Sequence, residues 1–272
     1  MLSSLAPARR RLALAGCAAV AIALIAVVAA VLASRGDGQA ELRVAPQDQP
    51  GPVLLVPGYG GSTSGLNVLA GRLREQGKDV AVLTLPGEGQ GDLAAQARVL
   101  DAAADAAIRR TGAASVDVVG YSAGGVVARV WISQAGAATV PVRRLISLGA
   151  PHHGTALASL GALFAGQCPT ACQQLDPESA LLARLNSGPG SEAPAGPVSV
   201  SLWTSRDEVV IPPESAVLAG ALNISVQSVC PASTVTHSQL PSDPLVAAMV
   251  VAQLQPSAPV PLTARDCARL SS

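Results

Sequence analysis

The sequence predicts an α/β fold: a mostly parallel, doubly wound sheet with helices on both faces. Three observations predict it. Short Val/Leu runs bounded by Gly or Pro recur along the chain, and such runs suit strands covered on both faces. Helical spacing fills several of the intervals, and strand alternating with helix is the pattern of parallel sheets. The residues best suited to chemistry follow the ends of the runs, where such sheets bind their ligands.

Three segments precede the first strand. Residues 1–11 form a basic tail containing Arg9, Arg10 and Arg11. Residues 12–33 read LALAGCAAVAIALIAVVAAVLA, without charge or Pro, which is long enough to span a bilayer as a helix. The basic flank favours the cytoplasmic side and places the remainder outside. A transmembrane signal-anchor is expected, because the apolar core of a cleaved signal peptide is usually about 7–15 residues. Cleavage after Ala33, with Val31 and Ala33 as the small-residue site, is the alternative and would make the protein secreted. Leu14-Ala15-Gly16-Cys17 resembles a lipobox, but a long apolar run follows Cys17, which argues against it. Residues 34–51, polar and containing Gly, Pro and Gln, read as a linker.

Residues 52–272 suffice for one domain with a single core. Strands are expected at Val53–Val56, Val80–Leu85, Val116–Val119, Leu145–Leu148, Val198–Trp203 and Ile224–Val229. Leu66, Leu69 and Leu73 share one helix face, and Gly77 suits a left-handed cap after it. A second helix is expected from the N-cap Asp92 to Gly112, a third after Ser122, and a last over Pro244–Leu254. Residues 186–197 (NSGPGSEAPAGP) read as a surface loop.

Aromatic residues are scarce, so small aliphatic side chains must fill the core. The formal net charge is zero, and the domain carries no basic run, so nucleic acid is not an expected partner. Cys168, Cys172, Cys230 and Cys267 are an even number in an oxidising setting, consistent with two disulfides. Cys168 and Cys172 are close enough to staple a local loop, and Cys230 with Cys267 would then tie down the tail. Sequence alone permits three pairings. No His sits beside a Cys pair at zinc-site spacing, so no metal site is expected.

Gly120-Tyr121-Ser122-Ala123-Gly124 has the pattern G-x-S-x-G, directly after an expected strand and before AGGVVARVWISQ, a helix-compatible stretch. A sharp strand-to-helix turn exposes the serine hydroxyl at its tip. It also points the first helical N–H groups at the place where an oxyanion would form. A chance match in a chain rich in Gly, Ala and Ser is the bland reading, and the strand-then-helix context argues against it. Gly58-Tyr59-Gly60-Gly61 also lies between strand and helix. It lacks the third Gly of a dinucleotide fingerprint and the Lys of a Walker loop. Its better use is to bring the Tyr59 N–H to an oxyanion hole, with the Ala123 N–H as the second donor.

A serine at its ordinary pKa needs a base. Of His152, His153 and His237, only His237 lies far enough downstream to leave room for an acid in the order Ser, acid, His. His152 and His153 follow a strand end and are given at most a supporting role. Asp207, after the strand Val198–Trp203, is the expected acid, orienting the imidazole and stabilising its protonated form. Glu208 is second. Asp176, in the Cys-flanked loop, and Asp243, after the histidine, are weaker, and Asp117 reads as structural.

Together VLLVPGYGGS, VDVVGYSAGG, LISLGAPHHGT, LWTSRDEVVIP and VTHSQLPSDPLV resemble, in order and spacing, the bacterial secreted triacylglycerol lipases and esterases of the α/β-hydrolase superfamily. The resemblance spans residues 52–254. It implies hydrolysis of carboxylic esters, with no metal or organic cofactor, by Ser122, Asp207 and His237, with oxyanion donors at Tyr59 and Ala123. Pro57 and Tyr121 depart from the family, where His is common at both positions. The partner implied is a small-molecule or lipid ester. Residues 155–185, with the apolar TALASLGALFAG, lie where a lid over the substrate would sit; a packed helix pair is the plainer alternative. Acyl transfer by the same triad, and a non-catalytic binding protein on the same fold, are the competing functions.

Overall fold

The structure, a computed structural model, describes residues 23–25, 44–134, 140–164, 168–188 and 192–271. The chain divides into two units, Met1–Glu41 and Leu42–Ser272. Apart from Ala23–Ile25, a single helical stretch, the expected anchor at 12–33 lies outside the described residues. Among the described residues no helix is long and apolar enough to cross a membrane.

The second unit is built on six strands: β1 (Val53–Val56), β2 (Val80–Val82), β3 (Val116–Tyr121), β4 (Val142–Leu148), β5 (Val198–Trp203) and β6 (Leu222–Ser225). All are parallel, in the order β2-β1-β3-β4-β5-β6. The chain leaves β1 in one direction to make β2 and returns on its other side to make β3. The direction of winding therefore switches at the β1/β3 boundary, and a crevice opens there beyond the carboxyl ends.

Helices cover both faces. α1 (Ser64–Glu75) and, later in the chain, α8 (Pro244–Gln253) lie on one, and α2 (Leu93–Thr111) and α3 (Ala123–Ser133) on the other. Strand alternation feeds the two cores. Leu54 and Val56 pack with Leu93, Leu100 and Val126, whereas Val53 and Leu55 pack with Leu66, Leu69 and Val250. Asp92 caps α2 by accepting from the Ala94 and Ala95 N–H groups. Gly77 ends α1 at φ 74°, donating to the Arg74 carbonyl. Between β4 and β5 come α4 (Ala156–Phe164), α5 (Thr170–Gln174) and α6 (Ala180–Leu185). Two short helices, α7 (Val226–Val229) and α9 (Cys267–Leu270), lie before and after α8. Disulfides join Cys168 to Cys172 and Cys230 to Cys267.

Several boundaries differ from expectation; β3, for one, runs past Val119 to Tyr121. β2 ends at Val82 rather than Leu85, because β1 ends at Val56; its last partner is Leu55, whose carbonyl accepts from the Leu83 N–H. β4 starts at Val142, three residues early, and buries two arginines. The Arg143 guanidinium donates from Nε to Asp117 Oδ1 at 2.8 Å and from Nη2 to Asp117 Oδ2 at 2.5 Å, both side chains fully buried. Arg144 donates to the Ser257 carbonyl, and burial lowers its pKa to about 10. The run expected as strand Ile224–Val229 is strand only to Ser225, in a β6 that begins at Leu222, and helix from Val226, because the Ser225 hydroxyl accepts from the Ser228 N–H and starts α7. The end of the expected linker, residues 44–51, packs on the domain: Ala45 is buried, and the Gln47 carbonyl accepts from Arg143 Nη1 at 2.9 Å.

Candidate active site

β3 runs straight into the turn that carries Ser122, which stands at φ 52°, ψ −128°. A non-glycine residue there is strained, and its surroundings must hold it. Its N–H donates to the Leu148 carbonyl at 2.8 Å, and its own carbonyl accepts from the Gly125 N–H at 3.0 Å. The flanking glycines are dictated by close approach. A Cβ on Gly120 would stand 2.5 Å from Gly125 Cα, and one on Gly124 would collide with the Val56 and Pro57 carbonyls. Across the crevice, a Cβ on Gly58 would stand 2.8 Å from Ser122 Cβ.

The loop after α7 brings His237 to this turn from the far end of the sheet. A capping box between Thr236 and Gln239 starts a single 3₁₀ turn, His237–Gln239. His237 Nε2 lies 3.0 Å from Ser122 Oγ, and Nδ1 lies 2.8 Å from Asp207 Oδ2. All three residues are buried. Asp207 follows β5, and its other oxygen, Oδ1, accepts from the Val209 and Val210 N–H groups at 2.9 and 2.7 Å. The carboxylate is thus fixed by backbone on one side and meets the imidazole on the other.

His237 is also held by its backbone. Its N–H donates to Glu208 Oε2 at 2.9 Å, and its carbonyl accepts from the Tyr121 hydroxyl at 3.3 Å. The Tyr121 and His237 rings lie 5.1 Å apart, tilted. Burial first, then Asp207 and Glu208, pushes the Tyr121 phenol well above its ordinary pKa, so it stays a donor. Glu208, second as the acid, contacts the backbone of the histidine and not its ring.

The other candidates lie elsewhere. Asp176 accepts from Ser159, Asp243 caps α8, and Asp117 pairs with Arg143. His152 is fully buried between Ser147 Oγ, 3.0 Å from its Nε2, and Arg129 Nη1, 3.5 Å from its Nδ1. Burial, then the charge of Arg129, drives its pKa well below the ordinary value and keeps it neutral. His153 Nε2 lies 2.9 Å from Glu192 Oε1. Neither histidine reaches Ser122.

The Tyr59 N–H lies in a glycine turn beside Ser122, closed by a Gly61 N–H to Gly58 carbonyl bond of 3.1 Å. The Ala123 N–H opens α3. Neither has an acceptor among the described residues, so both are available to a ligand oxygen.

A cavity of about 250 Å³ adjoins Ser122. It is bounded by Pro151 after β4, by Leu157 and Ala158 of α4, by Cys172 and Leu175 at α5, and by Val210 behind Asp207. Sequence reasoning placed residues 155–185 near the substrate but not Val210, since nothing local in a turn after β5 shows which strand end it faces. A larger hollow, about 680 Å³, lies between α1, α8 and α9 with no part of the site in its lining.

A family model for palmitoyl protein thioesterase matches residues 52–185, just under half of the chain. Among solved structures, Aspergillus fumigatus lipase B is similar with a TM-score of 0.68 and 23% identity, covering 83% of this chain and 57% of that one. Bacillus licheniformis lipase BlEst2 in its mature form aligns with a TM-score of 0.55 and 22% identity, covering 66% of this chain and 84% of that one. Its propeptide form gives 0.64 and 21%, with 80% of this chain and 53% of that one. This chain therefore spans little more than half of the first structure. No curated protein matches it. At these identities the likeness to the solved structures is one of fold.

Proposed function

We propose that this chain, which has the α/β-hydrolase fold, is a serine hydrolase of carboxylic esters that works through an acyl-enzyme on Ser122. The observation that carries the reading is the line of hydrogen bonds Ser122–His237–Asp207, 3.0 and 2.8 Å long, at the switch point of the sheet. In the proposed reaction Ser122 Oγ attacks the acyl carbonyl while His237 Nε2 takes its proton. Asp207 fixes the ring and stabilises the imidazolium. The Tyr59 and Ala123 N–H groups receive the developing oxyanion, and each such donor is worth about 10²–10³ in kcat. The imidazolium then protonates the leaving alcohol. Water, deprotonated by His237, cleaves the acyl-enzyme to the acid and restores the serine.

The thioesterase family match favours a second reading, in which the leaving group is a thiol. The residues would act as before, and the weaker demand for protonation of a thiolate leaving group is the difference. The two disulfides support an oxidising compartment outside the cytoplasm. The uncharged stretch 12–33 supports either an anchor or a cleaved leader there.

The test is covalent labelling of the full chain with a fluorophosphonate probe, with the adduct mapped by peptide mass spectrometry. An adduct on Ser122, absent in Ser122→Ala, is the expected result. A folded, disulfide-intact protein that reacts with neither probe nor any activated ester would rule the hydrolase reading out. Paired oxygen and sulfur esters of one acyl group, compared by kcat/KM, separate the two leaving groups.

A further inference from the structure

The cavity beside Ser122 is mostly apolar. Among the described residues no charged side chain lines it, so it suits the acyl part of an ester rather than a polar head group. At ~30 Å³ for a group the size of a water molecule, which a methylene resembles, its volume of about 250 Å³ holds about eight carbons. A palmitoyl chain needs about twice that.

The wall formed by α5 is tied to its neighbours. Cys172 and Leu175 belong to α5 and its C-terminal cap. The Cys168–Cys172 disulfide closes the segment on itself. The Thr155 N–H donates to the Leu175 carbonyl at 3.1 Å, and the Ala171 N–H donates to the Gln90 carbonyl at 3.0 Å. Gln174 bridges α5 to the start of α2, accepting from the Leu93 N–H at 2.8 Å and donating to Asp92 Oδ1 at 2.7 Å. Ser159 of α4 donates to Asp176, just past α5, at 2.7 Å. α4 and α5 are therefore pinned to each other and to the body of the domain.

We propose that this cavity is an acyl-chain site selective for medium chains, near octanoyl, and too short for palmitoyl. The proposal rests on the hydrolase reading of Ser122. It narrows the substrate to esters or thioesters of medium-chain acids, and makes α5 the ruler that measures them.

The experiment offers the full chain an equimolar mixture of p-nitrophenyl esters, from acetyl to palmitoyl, in neutral detergent micelles. Mass spectrometry of the released acids gives the ratios of kcat/KM directly. The preference is expected to rise about threefold to fourfold per methylene as the chain fills the cavity, peak near octanoyl, and fall for lauroyl and palmitoyl. Leu175→Ala should move the peak to longer chains, and Ala158→Phe should lower the octanoyl-to-acetyl ratio at least tenfold. A flat profile, a palmitoyl optimum, or variants that leave the peak in place would overturn the acyl-length proposal while leaving the hydrolase intact. Absence of turnover for every ester, with no fluorophosphonate adduct, would instead remove the hydrolase reading on which it stands.

Discussion

His237 is gripped at four points: Asp207 on Nδ1, the Tyr121 ring beside its own, Glu208 on its N–H and the Tyr121 hydroxyl on its carbonyl. Only the first is a contact within the proposed triad, whose proton would move at Nε2. The other three fix where the ring stands, so their loss should weaken the chemical step more than binding. Glu208→Ala is expected to lower kcat about tenfold, the worth of one hydrogen bond to a charged group, with KM little changed. Glu208→Gln, which keeps an acceptor oxygen, should restore most of it. Tyr121→Phe, which keeps the ring, should cost less than Glu208→Ala. Steady-state kinetics of the three variants check this, and a loss in KM alone would argue against positioning. Sequence order pointed to Ser122, Asp207 and His237, and the structure brings these side chains together. It could not assign Glu208, because the carboxylate that reaches a ring and the one that reaches a backbone N–H differ by one residue on a turn. The strand-to-helix context of Ser122, by contrast, was legible, since φ 52° between two glycines has a plain sequence pattern.

Among the elements, β4 departs furthest from its sequence pattern. Val142-Arg143-Arg144 does not resemble a buried strand, yet all three residues are buried. Asp117 on the neighbouring strand and the carbonyls of Gln47, Leu254 and Gln255 receive the Arg143 guanidinium. Such partners are far away in sequence, which is why apolar patterning places the start of the strand late. The same holds for α7, where one serine hydroxyl decides helix over strand within an apolar run. The loop after β4 makes a prediction of its own. His152 is held neutral in the fold, its pKa well below the ordinary value, whereas the unfolded chain protonates it near pH 6.5. Below that pH the unfolded state binds the extra proton, so stability falls as pH falls. Between about pH 7.5 and 5.5 this histidine should contribute a loss of about 1.4 kcal/mol. Urea unfolding of wild type and His152→Gln at both pH values measures it. The variant should lack that part of the pH dependence, and parallel losses in both proteins would refute the assignment.

At the scale of the whole molecule, the Cys230–Cys267 disulfide joins the loop that leads to His237 to the end of the chain, across a sequence separation of 37 residues. By the chain-entropy argument, a loop of this length stabilises the fold by about 3–4 kcal/mol. Replacing both cysteines by alanine should lower the denaturant midpoint accordingly, with the fluorophosphonate adduct on Ser122 retained in the folded fraction. An unchanged midpoint would mean that packing of α9 alone holds the tail. The all-parallel architecture itself was legible, because alternation of apolar runs with helical patterns is repeated along the domain and no single misplaced boundary alters it.

The parallel sheet has a practical consequence for anyone handling the protein. Its sequence contains a single lysine, Lys78, which precedes β2 and so lies at the amino end of the sheet. Ser122 lies beyond the carboxyl end of β3, about 20 Å away along a six-residue strand at 3.3 Å per residue. Burial lowers the ammonium pKa of Lys78, leaving more free amine at mild pH. With the α-amino group blocked, coupling through the Lys78 side chain would therefore hold the crevice turned away from the support and open to the solution.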